Sequence, residues 1–86
     1  MSTHAKPIQV IAWFDDKGKI NPIKFKLETE EEETKVIYIN KILNSELEKL
    51  SGTPMWKFTC NSLIDGIEKN YKIKYDLLSS KWILFI

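Results

Sequence analysis

From Ile67 to Leu77 the chain alternates without a break. Ile67, Lys69, Tyr71, Ile73, Tyr75 and Leu77 fall on one side, and Glu68, Asn70, Lys72, Lys74 and Asp76 on the other. A side-chain period of two belongs to a pleated strand, because successive Cβ atoms leave an extended backbone on opposite faces; a helix would spread these residues around its axis. A lone strand leaves its backbone donors and acceptors unpaired, and an isolated hairpin is marginal in water. The rest of the chain must therefore supply further strands.

It does so on both sides. Asp65-Gly66 is a two-residue hairpin signal, and before it Trp56, Phe58 and Cys60 alternate with Met55, Lys57, Thr59 and Asn61,. Near the start, Ile8, Val10, Ala12 and Phe14 alternate with Gln9, Ile11 and Trp13, with apolar residues on both faces,. Asp15-Asp16-Lys17-Gly18-Lys19 has turn chemistry and leads to Ile23, Phe25 and Leu27, which alternate with Lys24 and Lys26,. Pro22 lacks an N–H, which suits the start or edge of that second strand,. A third strand is expected over Lys35 to Leu43, rich in β-branched and aromatic side chains, and a last one at Trp82-Ile83-Leu84-Phe85-Ile86,. The apolar content of that last run suits a strand covered on both sides.

Two stretches break the rhythm. Glu28 to Thr34 carries four consecutive Glu and no apolar residue, and mutual repulsion predicts a solvated loop,. Residues 45–51 read first as a short helical turn: Ser45 and Glu48 have capping-box spacing, Leu43, Leu47 and Leu50 recur at helical intervals, and Gly52 could end the turn,. An extended excursion of the third strand is the second reading, because so short a helix is marginal without packing.

These elements predict an all-β fold: a small antiparallel curled sheet, or an SH3-like or OB-like barrel, of five to six strands with that one helical turn. Parallel crossovers have no room in 86 residues,. Residues 1–6 read as a flexible N-terminal tail and 7–86 as a single β-barrel-like domain. The pattern Pro7-Ile8-x-Val10-Ile11-Ala12-x-Phe14-Asp15-x-x-Gly18-x-Ile20-x-Pro22, with Pro54-Met55 and Lys81-Trp82-Ile83-Leu84, resembles small bacterial proteins of unassigned activity built as curled β-sheets. The resemblance covers nearly the whole chain and implies a shared shape, with no functional residue to carry over.

Chemistry is sparse. One His, in the tail, and one Cys, on an apolar strand face, give no nucleophile with a base beside it,. Glu30 to Glu33 lack the alternating ligands and glycine of a calcium loop, and the single glycines at 18, 52 and 66 make no phosphate cradle,. No catalytic, cofactor-binding or metal-ligating set is expected, and no enzyme activity. No apolar run reaches the roughly 18 residues of a membrane span, and the opening residues lack the apolar core of a signal peptide, so a cytoplasmic location with no membrane partner is expected.

A binding role is expected instead. All thirteen basic residues are lysine; without arginine's planar fork, sequence-specific nucleic-acid readout is disfavoured,. Strand alternation nevertheless puts Lys24, Lys26, Lys57, Lys72 and Lys74 outside, and with Trp13 and Trp82 as stacking platforms they form a candidate surface for sequence-tolerant nucleic-acid binding. The first reading is a protein-interaction module, through a protein partner or a homodimer, because the first and last strands carry more apolar side chains than a small barrel readily buries.

Overall fold

The computed structural model describes residues 5–28, 31–50 and 52–85. These form seven strands: β1 (Ala5–Phe14), β2 (Ile20–Glu28), β3 (Thr34–Tyr38), β4 (Lys41–Leu50), β5 (Thr53–Ile64), β6 (Ile67–Asp76) and β7 (Trp82–Phe85). All join one antiparallel sheet in the order β3-β2-β1-β7-β6-β5-β4, which curls into a half-barrel. Each strand neighbours its successor in the chain except at β3 and β4, and β1 pairs with β7 to join the two halves. The order is a meander; the Greek-key crossing of an OB-like barrel is absent among the described residues.

The strand count exceeds the expected five to six because the third strand is divided. Six antiparallel steps separate β3 from β4 in the sheet, so the two run in the same direction. They are successive parts of one kinked course, interrupted at Ile39 and Asn40. There Ile39 N–H donates to the Ile23 carbonyl of β2 at 2.9 Å, and Asn40 N–H donates to the Asn61 carbonyl of β5 at 3.0 Å. The chain thus passes from one partner to the other within two residues. Lower down, Lys35 Nζ lies 2.8 Å from Asp65 Oδ2 and clasps β3 to the β5–β6 turn.

The helical turn expected at 45–51 does not form. Residues 45–50 continue β4, with Ser45 opposite Phe58 and Leu47 opposite Trp56; Ser51 lies outside the described residues. Pairing with a twelve-residue neighbour satisfies the inner edge of this segment's backbone, and a helix of two turns has no comparable compensation for its nucleation. Gly52, at φ 77°, supplies the left-handed residue of the β4–β5 turn rather than a helix cap,. Of residues 1–6, expected as a flexible tail, Ala5 and Lys6 pair with Phe85 and Leu84; the first four residues, His4 among them, lie outside the described ones.

Elsewhere the turns behave as their residues dictate. Asp15 Oδ1 accepts from the backbone N–H groups of Lys17 at 2.9 Å and Lys19 at 2.8 Å, bracing the first hairpin. Asp65 and Gly66 have φ of 54° and 77°, the two successive positive values that suit a tight hairpin to the strands' right-handed twist,.

The core lies on the concave face. Ile20, Phe25, Ile37, Phe58, Cys60, Tyr71, Ile73 and Leu84 are buried there, drawn from β2, β3, β5, β6 and β7. Phe25 meets Tyr71 edge-on with centroids 5.6 Å apart, which ties the β1–β3 side of the sheet to the β4–β7 side,. The Ser62 hydroxyl is buried with Tyr71 and hydrogen-bonds its phenol.

Candidate interaction surface

Inward packing of Phe25 fixes what faces outward on β1, β2 and β3. Its register partners are Val10 and Ile37, so their neighbours along each strand stand on the convex side,. Ile11, Lys24 and Tyr38 form one outward rank across the three strands, and Gln9, Lys26 and Val36 form the next. Trp13 continues the β1 column. A register shift between Ile11 and Ala12 gives β2 an extra residue, Ile23, exposed beside Lys24,.

This side is unusually apolar for a wet surface. Ile11 and Trp13 are each 56% exposed and Tyr38 is 59% exposed, with Ile23 and Val36 exposed beside them. Lys24 Nζ sits 5.2 Å from the centre of the Tyr38 ring in a cation–π contact,. A groove of about 310 Å³ runs between the ranks, lined by Gln9, Ile11, Lys24, Lys26 and Val36. It shares Gln9 and Lys26 with a cleft of about 630 Å³ at the other end of the hairpin, lined also by Lys6, Ile8, Leu27, Glu28 and Thr34. The cleft exists because β1 pairs with β2 over Gln9–Phe14 but with β7 over Ala5–Ile8, so the two strands part there.

Of the seven surface residues expected, Trp13, Lys24 and Lys26 come together on this face, and the rest do not join them. Lys57 and Lys74 point outward from β5 and β6, but β4 supplies them with carboxylates. Lys57 pairs with Glu46 and approaches Glu48 Oε2 at 3.3 Å, while Lys74 lies 2.7 Å from Glu48 Oε1 and 4.8 Å from the Phe85 ring centre. Only 17% of the Lys57 side chain and 19% of the Lys74 side chain stay accessible. Hydrogen bonds first to Glu46 and then to Glu48 raise the Lys57 ammonium above its ordinary range, and the hydrogen bond from Lys74 leads in holding the Glu48 carboxyl below its own. Lys72 is exposed on β6 beside Thr59 and Phe85.

Trp82 is no stacking platform. It is half-buried, packed on Phe58 at 5.9 Å and Tyr75 at 4.8 Å between centroids. The single lysine face with two tryptophans is therefore replaced by two separate regions: the sheet order sets β2 three strands from β6, and the strand at 45–50 brings Glu46 and Glu48 onto Lys57 and Lys74.

No family model, no curated protein and no solved structure matches the chain. The resemblance to curled-sheet bacterial proteins thus contributes no residue role, and the surface is read from its own geometry. Tyr38, Val36 and Ile11 were absent from the expected set; their signal was the inward assignment of Ile37 and Val10, which obliges both neighbours of each to point out. Among the described residues no three of His, Cys, Asp and Glu gather to hold a metal ion. Cys60 is fully buried, and burial pushes its thiol up to about 12. Among the described residues no helix is long and apolar enough to cross a membrane.

Proposed function

We propose that the chain is a non-enzymatic interaction module that binds a protein partner through the convex face of β1, β2 and β3. The observation that carries this reading is the contiguous placement of exposed Ile11, Trp13, Ile23, Val36 and Tyr38 around two lysines. Scattered exposed apolar residues are ordinary, but a contiguous patch with an aromatic at either flank costs solubility unless something covers it. Trp and Tyr are also the side chains most often found to dominate binding energy at protein interfaces.

The test is capture from host extract, with and without nuclease, by the native chain and by a Trp13→Ala/Tyr38→Ala variant. A protein retained by the native chain after nuclease treatment and lost by the variant supports the reading. Retention unchanged by the variant overturns it. Light scattering across a dilution series separates a homodimer from a foreign partner.

A second reading has one observation in its favour: Trp13 and Tyr38 flank Lys24 and Lys26 as they would for a single nucleic-acid strand. Two lysines neutralise two phosphates, which gives a slope of log K against log salt of about −1.4. That is a weak electrostatic hold, and the pairing of Lys57 and Lys74 with Glu46 and Glu48 removes the charges that would strengthen it. Loss of the captured material on nuclease treatment would favour this reading.

A further inference from the structure

We infer that the partner presents an acidic, extended segment with carboxylates two residues apart, seated over Lys24 and Lys26. This rests on the convex face being the interaction face, and it names what that face accepts.

Lys35, Lys57 and Lys74 each hold a carboxylate within the chain, whereas among the described residues neither Lys24 nor Lys26 has one within ion-pair distance. They are also at the centre of the patch rather than at its rim: Lys24 lies between Ile11 and Tyr38, and Lys26 between Gln9 and Val36. A partner that covers the apolar residues must cover these ammonium groups too. Burying an ammonium without a counter-charge is costly, so the cover must bring its own anions.

Geometry then selects among anionic covers. A second copy is the poorest. A twofold axis lying in the interface sets each lysine against its own copy when it runs along β2, and Lys24 against Lys26 when it crosses the strands, so either arrangement opposes like charges,. Nucleic acid fits less well than a peptide, since Ile11, Ile23 and Val36 offer aliphatic walls on which bases do not stack. An extended peptide repeats its side chains on one side every two residues, a spacing of about 6.6 Å along the strand, which is the spacing that β2 gives its two lysines. The groove of about 310 Å³ between the ranks accepts an apolar side chain of the same segment.

The probe is a capped synthetic peptide with two glutamates separated by one valine, flanked by leucine and tyrosine, titrated into the full chain while amide shifts are followed by NMR. The expected result is movement confined to the amides around Ile11, Lys24, Lys26 and Val36. Replacing both glutamates by glutamine should weaken binding at least about tenfold, the effect of losing one charge-assisted bond or more. A Lys24→Glu/Lys26→Glu variant should lose the peptide and gain affinity for its lysine counterpart.

Equal binding of the glutamate and glutamine peptides, shifts located elsewhere, or tighter binding of a thymidine oligonucleotide would each overturn the inference. So would absence of binding by the glutamate peptide. If that occurs while host-protein capture still depends on Trp13 and Tyr38, the interaction reading stands and only the acidic segment falls.

Discussion

Ser62 and Tyr71 hydrogen-bond through their hydroxyls inside the sheet, and each is the reason the other can be buried. They stand on adjacent strands, β5 and β6, and each brings a hydroxyl into the core. Removing one hydroxyl strands the other without a partner. Tyr71→Phe or Ser62→Ala alone should each cost about 1–3 kcal/mol, while the double variant should cost clearly less than their sum. Urea denaturation of the four proteins checks this, and strict additivity would mean the two hydroxyls are satisfied independently.

At alkaline pH the same region should weaken. Burial leads in pushing Tyr71 up to about 12, against the lowering effect of the Ser62 hydrogen bond, and burial alone does the same to Cys60. Both groups release their protons earlier in the unfolded chain, near 10.0 and 9.0. Between those values and about 12 the folded state holds more protons than the unfolded one, so stability is intact below pH 9 and falls as pH rises toward 12,. Denaturation midpoints measured across that window should decline, and Cys60 should resist alkylation in the native protein at pH 8 while reacting readily in urea.

The acid limb has a different origin. Glu48 is held below its ordinary range, first by the hydrogen bond from Lys74 and further by Lys57. A depressed carboxyl contributes stability above its unfolded value and loses it as pH falls through its folded one. Glu48→Gln should therefore flatten the acid side of the stability curve below about pH 4.5 relative to the native protein. If the two curves stay parallel on acidification, the Lys57–Glu48–Lys74 cluster contributes nothing to acid stability.

Much of the fold was legible because alternation is a local signal. The strands at Ile8–Phe14 and Ile67–Asp76 announced themselves by period, and Asp65-Gly66 named its turn, since those two residues accept the positive φ that the hairpin demands. Residues 45–50 were not legible in the same way. Leu43 and Leu47 are four apart, which satisfies a helix, and the bulge between Ile42 and Asn44 shifts the strand register so that the alternation is masked,. The bulge also decided the site: it is part of the strand course that carries Glu46 and Glu48 to Lys57 and Lys74. Face assignments on one strand follow from sequence, but which lysines acquire acids depends on which strands become neighbours.

Gly66 offers a clean measure of that turn chemistry. A Cβ there would meet nothing within 4 Å, so Gly66→Ala introduces no clash and carries only the penalty of a left-handed backbone at φ 77°. The expected cost is about 1–2 kcal/mol, read from the shift in denaturation midpoint. A neutral substitution would mean that the β5–β6 turn reorganises at no cost.

The convex face and the core should respond oppositely to truncation. Trp13 and Tyr38 are more than half exposed, so replacing both with Ala removes little that folding had buried, and stability should change by no more than about 0.5 kcal/mol per site,. Phe25, directly behind them on β2, is 2% exposed and packs edge-on against Tyr71. Phe25→Ala should cost about 3–5 kcal/mol, a large part of what a domain of this size has to lose. Circular dichroism melts of the variants decide the matter. A native-like melt for Trp13→Ala/Tyr38→Ala makes any loss of partner binding a property of the surface; a melt lowered as far as that of Phe25→Ala would instead assign both rings to the fold.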